Sequence, residues 1–184
     1  RIRPPVTRLR EMGIGDDPVI NKTFWFMLKQ AIEWFPEERE FLRIGIEKAS
    51  KDRRRDVHEE LLGIAIERFF DDMFFLRELY KLKLENRDAG GVAGVIKQMT
   101  QQYPEELEPV YYGLKLAIIT SREEVYYRFR KMAIAKNIPQ QALVLLDFGF
   151  EIMSGKHYEA HACLDEIKTV FGPHNYYVIL LEFV

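Results

Sequence analysis

The chain has 184 residues, with 27 Lys and Arg against 29 Asp and Glu, a formal charge of -2, 47% hydrophobic residues and one cysteine. That hydrophobic fraction excludes a disordered or low-complexity chain, and the near-neutral charge argues against an overall field drawing it to nucleic acid or an anionic membrane. The lone Cys163 excludes an internal disulfide framework and a cysteine-based zinc site. No apolar run approaches the ~18 residues of a membrane span. The expectation is a soluble intracellular protein, in the cytoplasm or an organelle matrix alike.

Residues 1–18 open with RIRPPVTRLR, a basic stretch with a Pro pair and no periodicity, which predicts an extended arm or linker. Residues 19–184 read as a single helical-repeat domain. The start at Arg1 and the stop inside the apolar run Tyr176–Val184 suggest a piece of a longer protein. Apolar residues then recur at helical spacing with little strand-like alternation. Ile20, Phe24, Met27, Leu28, Ala31, Ile32 and Phe35 form the first stripe; Pro36 suits the first turn of a second helix carrying Phe41, Leu42, Ile46 and Ala49. Asp56 with Glu59 resembles a capping box, opening a long stripe from Val57 to Leu79 that breaks near Asp71–Asp72. Val92 to Tyr103, Leu107 to Ala117, Val125 to Ala133 and Ala142 to Ile152 mark four more helices, the third opened by a Ser121/Glu124 capping box. A last stripe from Ala160 to Phe171 stops at Gly172-Pro173. The prediction is an all-α chain of eight or nine helices.

Pro104, Pro139 and Pro173 lie 35 and 34 residues apart, and Pro36 lies 68 before Pro104, which leaves room for two units between them. The same alignment sets Phe41-Leu42-Arg43 over Phe75-Leu76-Arg77 and Gly45 over Gly113. A helix pair of this size cannot bury its apolar stripe alone, so neighbouring pairs must stack. In SGKHYEAHACLDEIKTVFGP, Gly155, Ala160, Leu164, Ile167 and Pro173 stand where a helical-hairpin repeat has its turn glycine, small contact residue, core positions and terminal proline. On these residues the chain resembles the tetratricopeptide and pentatricopeptide superfamily, best over residues 105–184. The resemblance implies a right-handed stack of antiparallel helical hairpins, an α-solenoid.

Candidate chemistry is sparse. His157, His161 and Asp165 share a helical face, and an i, i+4 His pair can ligate zinc, yet no motif places a third ligand and the repeat alignment puts His161 outward. His58 lies among acids at a helix start, without the Glu-x-x-His that di-iron bundles need. A phosphate loop and a nucleophile elbow are both missing from the sequence. Neither a catalytic residue nor a metal or other cofactor is expected. Lys51, Arg53, Arg54 and Arg55 form the densest basic patch, partly offset by neighbouring acids.

The resemblance implies that the first helix of each pair lines a concave surface. The proline register puts Tyr80, Lys83, Tyr111, Lys115, Ile118, Leu145 and Ile152 there. This mixture suits a peptide or helix laid in a groove. The function expected is a non-catalytic scaffold or adaptor holding protein partners in a larger assembly. Two other classes remain open: a pentatricopeptide-like reader of single-stranded RNA in an organelle, and a metal-binding helical-bundle enzyme.

Overall fold

A computed structural model describes residues 6–13, 17–172 and 175. Among these residues every regular element is helical and there are ten helices: α1 (Val6–Met12), α2 (Pro18–Trp34), α3 (Arg39–Lys51), α4 (Arg55–Arg68), α5 (Met73–Glu85), α6 (Ala89–Gln102), α7 (Glu108–Thr120), α8 (Glu123–Ala135), α9 (Gln140–Met153) and α10 (His157–Phe171). None is long and apolar enough to cross a membrane. The Gly172-Pro173 stop lies partly, and the run from Tyr176 wholly, outside the described residues.

One turn recurs along the chain. α3, α5, α7 and α9 each end before a residue in the left-handed region: Arg53 (φ 55), Arg87 (φ 54), Ser121 (φ 50) and Gly155 (φ 72). These stand at 34-residue intervals. In each case the next N–H, of Arg54, Asp88, Arg122 and Lys156, donates to the carbonyl five residues back at 2.9–3.0 Å. This bond satisfies a helix-end carbonyl and fixes how the chain leaves the helix. Core positions keep the same interval. Ile46, Tyr80, Leu114 and Phe148 are all buried on the first helices, and Ala31, Ala65, Met99, Ala133 and Ile167 on the second.

The chain divides into two compact units, residues 1–88 and 89–184, where the sequence predicts a single domain from residue 19. In unit 1 the core gathers Leu9, Phe24, Phe41, Leu62 and Phe75 from five helices. Asp72, at the N-cap of α5, accepts from the Phe74 N–H at 3.0 Å. It also accepts from Arg39 at 3.0 Å and from Arg43 at 2.8 and 2.9 Å, so one buried carboxylate ties α3 to α5. In unit 2, Tyr126 of α8 stacks on Phe150 of α9 with centroids 4.1 Å apart, and Val144, Ala160, Leu164 and Ile167 close α9 on α10. α7 and α8 approach closely at Gly113, where a Cβ would stand 2.5 Å from the Phe129 ring.

Several expectations change. The segment predicted as an extended arm contains α1, whose Leu9 is fully buried and whose contacts run to α2 and α3. Burying that one leucine outweighs the Arg-rich composition around it, and the helix accounts for ten elements instead of eight or nine. Neither capping box forms: α4 and α8 begin after Arg54 and Arg122, with no side-chain cap. Ser121 is instead the left-handed residue ending α7, its hydroxyl donating to the Met153 carbonyl at 3.0 Å. Pro36 precedes α3 in the turn instead of sitting inside the helix.

Candidate functional site

The predicted concave-face residues separate into buried and exposed ones. Tyr80 is 4% exposed: it occupies the core position shared with Ile46, Leu114 and Phe148, so it packs inward and offers no ring to a partner. Lys83 is half-buried and paired with Asp88 at 3.1 Å. Ile118 and Ile152 are half-buried, Ile152 against the α9–α10 cluster. Tyr111, Lys115 and Leu145 are exposed on α7 and α9, which touch each other within unit 2.

The basic patch is dispersed by its own turn. Arg53 is the left-handed residue, and Arg54 lies over the Trp25 ring at 4.8 Å. Arg55 donates to Glu59 at 2.9 Å and to the Asn86 side chain. Lys51 is exposed and also has a partner. These cations do not converge on one point.

The titratable clusters are structural in geometry. In unit 1 a polar cleft between α3, α4 and α5 holds His58, 3.4 Å from Glu78, which accepts from Lys81 at 2.6 Å. The contact with His58, opposed by burial, and the Lys81 ammonium hold the Glu78 carboxyl below its ordinary value. In unit 2 Asp147 accepts from the Tyr126 hydroxyl at 2.6 Å and from both Arg130 nitrogens at 2.7 Å. Burial, then the Asp147 carboxylate, push the Tyr126 phenol far up, so it remains a neutral donor. Burial raises the Cys163 thiol as well, which leaves little thiolate to act as a nucleophile. His157 and His161 are exposed, and among the described residues no group of three or more His, Cys, Asp or Glu side chains is placed to hold a metal.

Unit 2 contains a groove of about 560 Å³. α6 and α8 form its walls and Leu116 and Thr120 of α7 line it between them. α6 contributes Ala93, Gly94, Ile96, Lys97, Thr100 and Gln101; α8 contributes Val125, Arg128, Phe129 and Met132, with Arg122 at its N-cap. Both sets follow helical spacing, so each is one stripe of its helix. None of the seven predicted face residues lines this groove. Its signal in the sequence is negative: Ala93 and Gly94 are small where a larger side chain would close it.

Unit 1 has a counterpart of about 380 Å³ between α2 and α4. Its linings stand 68 residues earlier, two of the 34-residue intervals: Trp25 for Ala93, Leu28 for Ile96, Lys29 for Lys97, Glu33 for Gln101, Glu60 for Arg128 and Leu61 for Phe129. Arg54, stacked on Trp25, stands 68 before Arg122. The register thus extends back through α2. Compared with family models, with curated proteins and with solved structures, the chain matches none.

Proposed function

We propose that this chain is a non-catalytic helical-repeat scaffold or adaptor, of the tetratricopeptide and pentatricopeptide kind, that holds protein partners within a larger assembly. The observation carrying this reading is the recurrence of one left-handed turn and one carbonyl bond at Arg53, Arg87, Ser121 and Gly155. A backbone device repeated at a fixed interval is what a stack of like hairpins requires, because each pair buries its stripe only against a neighbour. In this reading the pairs pile up as a right-handed solenoid. The buried polar groups support a structural role, since Tyr126, Arg130 and Asp147 bond to one another and Asp72 to two arginines.

The exposed face of Tyr111, Lys115 and Leu145 is the contact surface of this reading, joined by half-buried Ile118 and Ile152. A photo-reactive amino acid placed at Tyr111 or Leu145 should give discrete protein adducts in native lysate, and the same group at exposed Glu67 should give none. Equal, diffuse labelling at all three positions would refute the scaffold reading. A gel shift with single-stranded RNA that tightens below about 0.1 M salt, and fails when Lys115 becomes Glu, would favour RNA as the partner instead.

A further inference from the structure

Resting on the scaffold reading, we propose that the α6–α8 groove of unit 2 is a docking site for an amphipathic helix of a partner protein, one with a large aromatic anchor and acidic flanks. Three observations define that occupant. First, the groove's counterpart in unit 1 shows what the equivalent wall carries: Trp25 lines a hollow of about 380 Å³, against about 560 Å³ in unit 2, and bears the Arg54 guanidinium on its face at 4.8 Å. In unit 2, Ala93 stands in place of Trp25, and among the described residues no side chain is bonded to Arg122. An aromatic ring from outside restores both the ring on this wall and the cation–π contact.

Second, the charges are one-sided. Lys97, Arg122 and Arg128 line the unit 2 groove with no carboxylate among its linings, whereas Lys29 and Arg68 in unit 1 are balanced by Glu33 and Glu60. Glu123, in the first turn of α8, is turned to Lys156 at 3.1 Å. Acidic side chains along the edges of the visiting helix meet this uncompensated rim. Third, the α6 wall runs from Ala89 to Gln101, a length of about 18 Å at the helical rise, which fits about three turns of partner helix. At Gly94 an added Cβ would meet nothing within 4 Å, so no neighbour in the chain requires a glycine there. Its absent side chain leaves room for a close approach.

The test is binding of labelled synthetic helices to the whole chain, read by fluorescence anisotropy. The probes are three peptides of about four turns with one apolar stripe: one with a central Trp and Glu flanks, one with the same Trp and Lys flanks, one with Glu flanks and Ala for Trp. The acidic Trp peptide should bind at least about tenfold tighter than either other peptide at low salt. Ala93→Trp, which supplies the ring in cis, should weaken it by at least about tenfold while thermal unfolding shows the fold retained. Gly94→Leu is the second blocking variant. Lys97→Glu with Arg122→Glu should reverse the preference towards Lys flanks. Equal binding of all three peptides, no binding of any, or binding indifferent to Ala93→Trp and Gly94→Leu overturns the proposal. So does concentration-dependent self-association abolished by Ala93→Trp, which would make a second copy the occupant, or displacement of the peptide by single-stranded RNA. If no peptide binds while the Leu145 cross-linker still captures discrete proteins, the groove assignment falls and the scaffold reading stands.

Discussion

In unit 1, Trp25 lines the smaller hollow between α2 and α4 and holds Arg54 on its face; in unit 2, Ala93 stands in the equivalent place and, among the described residues, no ring lies beneath Arg122. Both places share the left-handed turn before the second wall helix, at Arg53 before α4 and at Ser121 before α8. The exchange of a large for a small residue, two intervals apart, accompanies a hollow of about 380 Å³ in unit 1 and of about 560 Å³ in unit 2. The units differ in charge by the same means, Glu60 in one standing where Arg128 stands in the other.

The strongest way to break this contrast is to remove the Trp25 ring from the unit 1 wall. Trp25→Ala removes a ring in edge contact with Phe24 and the platform under Arg54, and should cost about 2–3 kcal/mol in urea unfolding. A loss under about 1 kcal/mol would mean that the Trp25 ring is not packed into the unit 1 wall. Next comes the close approach of α7 and α8. Gly113→Ala puts a methyl against the buried Phe129 ring and should destabilise by about 1–3 kcal/mol despite the better helix propensity of Ala. Gly45→Ala meets only the mobile ends of Leu28 and Leu61, so its cost should be smaller. On the open side, Gly94→Ala should stabilise by up to about 1 kcal/mol, because the new methyl meets nothing and the helix gains propensity. A similar gain, about 1 kcal/mol, is expected for Arg87→Gly, which relieves a side chain held at positive φ.

The smallest effects are in pH, and they run in opposite directions in the two units. Burial would raise the Asp72 carboxyl, but the bonds from Arg39, Arg43 and the Phe74 N–H more than offset it, and its value is lowered. Its contribution is therefore present above the ordinary Asp value of about 3.9 and is lost as pH falls through the lowered folded value. Glu151 is raised, by burial first, with Lys156 at 3.9 Å too far to compensate fully. Its contribution is full below the ordinary Glu value of about 4.3 and is lost as pH rises through the raised folded value. Acid unfolding should thus be blunted by Asp72→Asn, and Glu151→Gln should gain a little stability at neutral pH. Superimposable pH profiles for both variants and the parent would refute the assignment.

The helical periodicity and the proline spacing carry most of the fold in the sequence, because apolar stripes at 3.6 residues state directly which face each helix buries. The turns were less legible. Of the four turns that end the first helices only the one at Gly155 is announced by a glycine; Arg53, Arg87 and Ser121, and Asn137 after α8, adopt positive φ without one, each followed by a bond to the carbonyl five residues back. This is why Ser121 resembles an N-cap in sequence while serving as the end of α7. Tyr80 was misplaced for a related reason: a tyrosine reads as a surface aromatic, and only its alignment with Ile46, Leu114 and Phe148 shows it facing inward. α1 is masked in the sequence by its arginines, although Leu9 is buried and Val6 and Met12 pack against the same core. The groove had no positive signature at all, because what opens it is the smallness of Ala93 and Gly94.

The three-residue connections between α3 and α4 and between α9 and α10, and the two-residue one between α7 and α8, have a consequence for how this chain tolerates change. With the exit from each first helix pinned by a backbone bond, one residue added just before such a turn would swing the interior stripe by about 100°. Point exchanges such as Trp for Ala leave that phasing intact. Lineages of this protein should accordingly accumulate substitutions on the groove walls and shun single-residue insertions beside the turns, a bias that deep insertion scanning would reveal.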